Sequence, residues 1–452
     1  MLQIVYRLPF LWIVSLILML AQATPCQAKM ISVELVWNLS QAGWVQIDIK
    51  KGDYQLILDT TTRKFPAGST LQVGWGGWTP VLRVNHEEFQ VFSGSVLEVK
   101  ETNPGSLHVK TPEGIDAVYR GGLQLNWQDG HWRIINQLDS EDYLKGVVPI
   151  EMSNEWAKGG VEALKAQAVA ARTYLVRQTE NGKKMITDSP DIHQAYAGMK
   201  VEGEASKAIE ATRGEIIVDA KTKQPIDALY SSHSGGYTED AQNVWGNIDI
   251  HNISHPDLYS QGVGGPVNRW RFIVSAPLLG SKFGLGPVRK VTLDKFPSGR
   301  VKSVQIEDEF GQNKTVKGRT FVQAFYPFGQ PIRKEAFLGS LFEAKDVNTN
   351  RELFRKSDST ESFGPLGYSG FSELAKLYQS RQGPLLSKVM SSSLGTSEDP
   401  QPFGVFIFEG RGWGHGVGMS QWGAYHMAQL GYKYNEIIAY YYNHISIGQS
   451  SL

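Results

Sequence analysis

The sequence has one cysteine, Cys26, among 452 residues. A single cysteine excludes an intramolecular disulfide. It also leaves no second thiolate for a zinc site with several cysteine ligands. The chain likewise lacks an excess of charge, because 45 Lys and Arg balance 45 Asp and Glu. Proteins that bind nucleic acid through a broad basic surface carry an excess of Lys and Arg. We therefore predict no nucleic-acid partner.

Long apolar runs are missing everywhere except near the N-terminus. Residues 8–21 are almost wholly apolar, and Arg7 is the only charge among residues 1–28. The run is shorter than the roughly 20 residues that a spanning helix prefers, and small residues follow it at possible cleavage sites. We predict that residues 1–28 are a signal peptide or an anchor. The rest of the chain is then extracytoplasmic, in the periplasm, in the cell wall or secreted, with membrane contact only through this segment.

The remainder divides by pattern into two regions. Residues 29–115 alternate as short strands with Gly and Pro between them, and Lys51-Gly52-Asp53 predicts a hairpin turn. Residues 116–452 mix strands with helices, around an Asp129-Gly130 turn near their start. We predict an α+β protein with a small all-β N-terminal domain at 29–115 and a second domain at 116–452. We predict a polar, Ser-rich insertion at about 340–402 and assign no catalytic or binding residue to it.

The stretch 139–177 predicts two helices. Asp139 or Ser140 can cap the first, and Pro149 is expected to end it or to lie just past its end. Gly159-Gly160 precedes a longer second helix. One face of that helix is expected to be apolar, because its apolar residues recur at helical spacing: Val161, Leu164, Ala168, Ala171 and Leu175.

Glu151 is expected in a short joint between these helices, beside Met152 and close to Trp156. A carboxylate packed by apolar neighbours is a candidate for a raised pKa and therefore for a general acid. The alternative interpretation is a solvated loop residue. Glu155, Glu162 and Glu239 are further candidate carboxylates, of which Glu162 is the more typical of a structural residue.

Two runs carry a family resemblance: Glu141-Asp-Tyr-Leu-Lys-Gly-Val-Val-Pro-Ile-Glu-Met and Glu162-Ala-Leu-Lys-Ala-Gln-Ala-Val-Ala-Ala-Arg-Thr-Tyr. They resemble the SpoIID/LytB family of bacterial cell-wall proteins. The resemblance implies a lytic transglycosylase that acts on peptidoglycan glycan strands. Its catalytic glutamate lies in the Glu-Met pair, which is Glu151 here. We predict substrate contacts within these runs from Tyr143, Lys165, Gln167 and Arg172.

A second part of the resemblance is Asp-Ile-His-Gln-Ala-Tyr-Ala-Gly at 191–198. Gln194 and Tyr196 can donate hydrogen bonds to sugar hydroxyls. The alternative is that both side chains bridge the second helix to a sheet.

The segment 228–239 predicts a strand that feeds a polar turn with Ser232, His233 and Ser234. Serine catalysis is disfavoured, because no Gly-x-Ser-x-Gly elbow is present. Some family members bind zinc near this turn, but this chain has no cysteine there. A site of histidines alone stays open, through His233 with His251 or His255. We predict substrate contacts from the turn, no metal and no organic cofactor.

The last motif is Gly-Arg-Gly-Trp-Gly-His-Gly-Val-Gly-Met-Ser-Gln-Trp-Gly-Ala at 410–424, and it resembles the family's other signature. Glycine at alternate positions allows a ligand or another backbone to approach closely; the alternative is that the glycines only permit tight packing. We predict that this glycine loop (residues 410–418) lines the same cleft as Glu151. Substrate contacts would come from Arg411, Trp413, His415 and Gln421.

The predicted partner is therefore the peptidoglycan glycan strand. Hydrolytic glycosidases usually need two carboxyl groups, whereas a lytic transglycosylase can use one. The competing hypothesis is a LytB-like enhancer of a wall amidase, in which Glu151 would hold the fold or contact the amidase.

Overall fold

The computed structural model describes residues 30–325, except 38, 40–42, 77–78, 90 and 92–94, together with 338–346 and 404–452 except 451. The predicted signal segment and most of the predicted insertion lie outside these residues. Two compact units divide the chain. Unit 1 contains residues 1–154, 171–216 and 449–452, and unit 2 contains 155–170 and 217–448.

Eleven strands of unit 1 form one sheet in the order β11-β1-β10-β9-β7-β2-β4-β5-β6, with β3 on β2 and β8 on β7. The strands are β1 (Met30–Glu34), β2 (Trp44–Leu58), β3 (Thr61–Pro66), β4 (Thr70–Gly76), β5 (Thr79–Val84), β6 (Glu87–Phe89), β7 (Val96–Lys110), β8 (Asp116–Tyr119), β9 (Gly122–Gln128), β10 (His131–Asp139) and β11 (Ile186–Thr187). The boundary predicted between residues 115 and 116 falls inside this sheet, because β8 and β9 both pair with β7.

The predicted hairpin around Lys51-Gly52-Asp53 is wrong. β2 runs through these residues, and its pairing with β7 shifts register there instead of turning. A Cβ on Gly52 would lie 2.5 Å from the Cα of Gly105 in β7. The two facing glycines therefore allow both long strands to bulge at the same place. By contrast, the Asp129-Gly130 turn between β9 and β10 is confirmed, with positive φ at both residues.

Helices of unit 1 follow the sheet. Helix α1 (Ser140–Glu151) is capped by the Asp139 carboxylate, which accepts from the Glu141 amide at 2.9 Å. The predicted end at Pro149 is wrong, since the proline lies within the last turn and the helix continues to Glu151. Proline removes one amide donor, and only two residues follow it before the helix ends. The short α3 (Ala205–Ala211) is confirmed where residues 204–212 predict a helix.

Helix α2 (Ala157–Gln178) passes from unit 2 into unit 1. Its backbone is non-helical at Lys158, Gly159 and Gly160, so the predicted break is confirmed. The predicted apolar face is buried at Leu164, Ala168, Ala171 and Leu175, whereas Val161 is 42% exposed. Burial also extends beyond that face, because residues 166–173 are buried on every side. A helix that is buried on all sides is mostly apolar, and alanine occupies four of the eight positions 166–173.

Unit 2 has its own core. Its strands are β12 (Glu215–Asp219), β13 (Tyr230–Ser231), β14 (Trp270–Ser275), β15 (Val288–Lys295), β16 (Val301–Asp308), β17 (Asn313–Lys317), β18 (Phe342–Asp346), β19 (Val405–Gly410), β20 (Met419–Ser420) and β21 (Ile445–Gln449), of which β12 and β21 extend into unit 1. Its further helices are α4 (Ala241–Trp245), α5 (Ala276–Ser281), α6 (Gly318–Phe325), α7 (Gln421–Gln429) and α8 (Tyr434–Tyr441). The sheets β14-β19-β18 and β15-β16-β17 bury an aromatic cluster that includes Phe321, Phe342 and Phe408.

Both units mix helices and strands, so the α+β class is confirmed. Single turns of 3₁₀ helix lie at Asn154–Trp156, Gly198–Val201, Leu258–Ser260 and Gly265–Val267. No helix within the described ranges is both long and apolar enough to cross a membrane.

Candidate functional site

Glu151 is the last residue of α1 and is half-buried. The chain leaves the helix at Met152, which has an extended backbone, and its amide donates to the Val148 carbonyl at 2.8 Å. The predicted non-helical joint is thus shifted by one residue, to begin after Glu151. Met152 is 1% exposed, as expected of an apolar neighbour. A carboxylate at this position lies at the negative end of the helix dipole.

Aromatic side chains are buried along α1. Tyr143 packs on Tyr196, with their ring centroids 4.9 Å apart. The Tyr196 hydroxyl donates to Asn136 in β10 at 2.9 Å. Burial raises the pKa of Tyr143 well above its ordinary value, and the charges of Tyr174 and Glu151 add to this shift. The Glu151 carboxylate therefore lies within electrostatic range of Tyr143.

Gln194 joins Tyr143 and Tyr196 in a bridge of side chains between α1 and neighbouring elements, and it is 3% exposed. It accepts from the Tyr143 hydroxyl at 3.4 Å and donates to the Ala171 carbonyl at 3.3 Å. The alternative interpretation was that Gln194 and Tyr196 bridge the second helix to the sheet. The contacts favour it, because Gln194 binds α2 and Tyr196 binds β10, and both also contact Tyr143 of α1. Tyr143 belongs to the same bridge.

Arg172 is 1% exposed and forms a bidentate ion pair with Glu141, at 2.6 and 2.8 Å. Its guanidinium also donates to the carbonyls of Glu215 at 3.0 Å and Ile209 at 3.3 Å. These contacts join α1 and α2 to the end of α3 and the start of β12. Such a buried guanidinium has its donors directed at the protein, so we assign Arg172 a structural role.

Two more residues of the first signature lie in the part of α2 that belongs to unit 2. Lys165 pairs with Glu162 at 2.7 Å, and Glu162 accepts from the Tyr434 amide at 3.0 Å. Burial opposes ionisation of Glu162, but these hydrogen bonds outweigh it and lower the pKa of the carboxyl. Glu162 is therefore ionised and structural, as predicted. Gln167 is fully buried.

The polar turn of unit 2 is buried too. The Gly235 amide donates to Nδ1 of His233 at 2.9 Å, and Nε2 of His233 lies 3.1 Å from the Val263 carbonyl. Burial lowers the pKa of His233, so the ring is neutral and both its nitrogens are engaged. The Ser234 hydroxyl donates to Asp257 at 2.6 Å. This hydrogen bond does not involve the neighbouring His233.

Ser232 is half-buried, and its carbonyl accepts from the Trp422 amide at 3.1 Å. Within the described ranges, no group of three or more His, Cys, Asp or Glu side chains has a geometry that can hold a metal ion. Instead, Nδ1 of His251 lies 2.9 Å from the Asn443 carbonyl oxygen, and Nδ1 of His255 lies 3.0 Å from that of Pro256.

The glycine loop (residues 410–418) connects β19 to β20. Backbone bridges tie it to the polar turn, through Trp413 with His233 and through Val417 with Glu239. A third bridge joins Gly414 to Gly339. Positive φ values occur at four glycines of the loop, namely Gly412, Gly414, Gly416 and Gly418.

Most of these glycines serve close packing within the protein. A Cβ on Gly410 would lie 2.1 Å from the Trp270 ring, and one on Gly416 would lie 2.0 Å from Nη2 of Arg300. On Gly418 it would lie 1.9 Å from the Leu229 carbonyl oxygen. Gly414 differs, because its Cβ would meet nothing closer than 3.4 Å. The packing interpretation is therefore favoured for these three glycines, and the left-handed backbone alone explains Gly414.

The side chains of the loop differ in exposure. Arg411 is exposed, Trp413 and His415 are half-buried, and Gln421 at the start of α7 is buried. Nδ1 of His415 accepts from the Val417 amide at 3.0 Å. Burial, together with the charges of Arg300 and Arg319, lowers the pKa of His415 to about 3. Its imidazole is thus neutral at physiological pH.

Arg300 packs against the glycine loop, but the sequence predicted no role for it at the site. It is 2% exposed and donates to the carbonyls of Ser234 and Tyr237. Burial lowers its pKa to about 10, while the charge of Glu239 opposes that shift. Glu239 is itself buried, accepting hydrogen bonds from Ser298 and Asn243. The Ser-Gly-Arg run at 298–300 was visible in the sequence, but its packing on the loop depends on contacts distant in the chain.

The fold and these residues define an α+β protein in which a glutamate is the last residue of a capped helix. Residues 128–218 match the family described as SpoIID, Stage II sporulation protein. The predicted resemblance to the SpoIID/LytB family is therefore confirmed over this segment. Glu151 lies within the matched residues.

The chain is similar to the amidase enhancer of Bacillus subtilis, with 28% identity over 66% of this chain. It covers only 39% of the length of that relative. It is also 29% identical to an uncharacterized protein of Brachyspira hyodysenteriae, over 75% of this chain and 73% of the relative. Stage II sporulation protein D of Bacillus subtilis is 26% identical over 70% of this chain and 76% of the relative.

Glu151 belongs to unit 1, and the glycine loop belongs to unit 2. That both line one cleft stays a prediction.

Proposed function

We propose that this protein is a peptidoglycan-remodelling lytic transglycosylase that cleaves glycan strands between N-acetylmuramic acid and N-acetylglucosamine. The observation that carries the proposal is the position of Glu151, half-buried at the end of α1 within the SpoIID match. The relatives named stage II sporulation protein D support a role in the bacterial cell wall.

In the proposed reaction, Glu151 protonates the glycosidic oxygen and the bond to the anomeric carbon breaks. The 6-hydroxyl of the same muramic acid residue then attacks that carbon, and Glu151 takes up its proton. The products are a 1,6-anhydro sugar end and a new free N-acetylglucosamine 4-hydroxyl. Water is not consumed, so a second catalytic carboxylate is unnecessary. The reaction needs no metal or organic cofactor.

The surroundings of Glu151 suit this role. Its carboxylate lies at the negative end of the α1 dipole, where a second negative charge is disfavoured. Met152 beside it is buried, and the bridge formed by Tyr143, Gln194 and Tyr196 holds the helix in place. A fixed, partly desolvated carboxyl group is suited to general acid catalysis.

The test is digestion of purified glycan strands, with and without stem peptides, followed by mass analysis. We expect 1,6-anhydro ends from the wild type and a loss of activity of about 100- to 10,000-fold for Glu151→Gln, because general acid catalysis typically contributes 10²–10⁴-fold. Glu155→Gln is the matched control: Glu155 is an exposed glutamate four residues further on, and its variant should keep full activity. Equal activity of Glu151→Gln and wild type would reject the mechanism.

The second candidate function is enhancement of a cell-wall amidase. It is favoured by the similarity to the amidase enhancer of Bacillus subtilis. Under this hypothesis, the protein releases no glycan fragments but raises the rate at which a purified wall amidase solubilises peptidoglycan. Glu151→Gln would then lower the enhancement only through a weakened fold or a lost contact with the amidase, and the wild type would release no anhydro ends. Anhydro products without an effect on the amidase would exclude it.

We also propose that the protein acts outside the cytoplasm. The support is the apolar segment at 8–21 and the location of its proposed substrate. Cell fractionation should place the protein with the wall, periplasm or medium, or at the membrane if the segment is not cleaved.

A further inference from the structure

Trp245 is an unusually exposed tryptophan beside the glycine loop. It ends α4 and is 42% exposed, although tryptophan is mostly buried in folded proteins. The centroid of its ring lies 4.9 Å from that of His415, with the planes inclined at 66°. One edge of the indole is thus supported by the loop, while much of the ring remains open to solvent.

The position of Trp245 relative to the loop is held by a buried network. The Glu239 amide donates to the Gly416 carbonyl at 2.9 Å. The Glu239 carboxylate accepts from the amide of Asp240, at 2.8 Å, and from Asn243 within α4, also at 2.8 Å. Gly246 has a left-handed backbone (φ 89°) that ends the helix directly after Trp245. A side chain fixed in this way loses little conformational entropy when a ligand binds.

Positive charges act on His415, the ring beside Trp245. Arg300 and Arg319 are the charges that act on His415, and Arg411 is exposed at the start of the loop. Glu239 partly offsets Arg300. Within the described part of the chain, no acidic side chain forms an ion pair with Arg319 or Arg411. The neutral His415 ring adds no charge of its own. An open indole beside a positive region is suited to a ligand that has an apolar face and a negative group.

We propose that Trp245 and the glycine loop around His415 form a binding site for an acidic N-acetylated sugar of a glycan strand. The sugar ring packs on the open face of Trp245, and its carboxylate is attracted by Arg319 and Arg411. This site rests on the proposed function for its choice of ligand. It goes beyond that function in assigning recognition to Trp245 and in selecting the acidic sugar of the strand over the neutral one.

The experiment measures equilibrium binding by titration calorimetry, with all variants built on Glu151→Gln so that no strand is cleaved. The ligands are peptide-free strands of alternating N-acetylglucosamine and N-acetylmuramic acid, and a chitin oligosaccharide of equal length that lacks carboxylates. We expect Trp245→Ala to weaken strand binding about tenfold, which corresponds to ~1.4 kcal/mol. Trp245→Phe should retain part of the affinity. Trp37→Ala, which removes another tryptophan that is 42% exposed, should bind as the parent does.

The charge on the ligand gives an independent readout. The parent should prefer the acidic strand to the chitin oligosaccharide, and Arg319→Gln with Arg411→Gln should abolish the preference without changing the affinity for chitin. Unchanged strand affinity in Trp245→Ala, with a thermal transition like that of the parent, overturns the site. If Trp245→Ala fails to fold, an unchanged affinity in Trp245→Phe together with a preference that survives the arginine variants overturns it. Binding that depends on Trp245, in a protein whose wild type yields no anhydro ends, would reject the reaction but keep the site.

Discussion

Arg172 and Glu141 form a buried ion pair between the two runs that carry the family resemblance, and the run with Glu141 also carries Glu151. The residue types predicted that both Glu151 and Arg172 act on the substrate. Their burial distinguishes them, because Glu151 is half-buried whereas Arg172 is 1% exposed. A sequence pattern shows which residues share a motif. It does not show which of them face solvent, because that depends on elements such as α3 and β12 that lie further along the chain.

Arg172→Ala should destabilise the protein by about 3–5 kcal/mol, because it leaves the Glu141 carboxylate buried without its partner. The double variant Arg172→Met with Glu141→Leu should recover most of this loss, since it buries no charge. Urea unfolding monitored by circular dichroism measures both. If Arg172→Ala instead lowered the affinity for glycan without changing the stability, Arg172 would be a substrate contact, as the sequence predicted.

His415 predicts a pH dependence of stability. Its pKa falls from an ordinary value of 6.5 to about 3 in the folded protein, first because of burial and then because of nearby arginines. The unfolded chain therefore binds a proton on this residue at a higher pH than the folded chain does. The stabilisation from the neutral ring is complete above pH 6.5 and is lost as the pH falls towards 3.

We therefore expect the melting temperature of His415→Gln to fall less than that of the wild type between pH 7 and pH 4.5. The exposed His86 supplies the control, and His86→Gln should follow the wild-type profile. Parallel profiles for His415→Gln and wild type would contradict the lowered pKa.

At the scale of elements, the sequence correctly predicted the features that depend only on residues adjacent in the chain. The Asp129-Gly130 turn was predicted, because a two-residue turn needs only residues that accept positive φ. Lys51-Gly52-Asp53 carries a similar turn pattern but lies in the continuous strand β2, because Gly105 of β7 packs against Gly52. The glycine loop shows the same limit, since the residues that fill the space above its glycines come from distant segments.

Gly416→Ala should destabilise unit 2 by about 3 kcal/mol. The new Cβ would overlap the Arg300 guanidinium, and φ is 76°; overpacking costs about 1–3 kcal/mol, and a left-handed backbone about 1–2 kcal/mol. Gly414→Ala is the matched control, because φ is 93° but its Cβ meets nothing closer than 3.4 Å. It should cost only about 1–2 kcal/mol. Equal losses in chemical unfolding would show that Arg300 moves aside freely.

At the scale of the whole molecule, each compact unit is made of segments that are not consecutive in the chain. Residues 171–216 belong to unit 1 although residues 155–170 before them belong to unit 2. The predicted boundary at 115 relied on a change of pattern from strands to mixed elements. That change of pattern could not show that β1 pairs with β10, a pairing that begins with Met30 opposite Asp139. Pairings across more than a hundred residues leave no local pattern in a single sequence.

A fragment of residues 30–154 is therefore expected not to fold alone, although it contains all strands of the large sheet except β11. It lacks Arg172, whose absence leaves Glu141 buried without a counter-charge, and Tyr196, which packs on Tyr143 and binds Asn136. We expect the fragment to show no cooperative thermal transition and little near-UV circular dichroism. Co-expression with residues 155–452 supplies the missing segments and should restore soluble material that elutes with both pieces. A cooperative transition in the isolated fragment would show that the sheet needs neither contact, and the N-terminal strands would then form an independent domain.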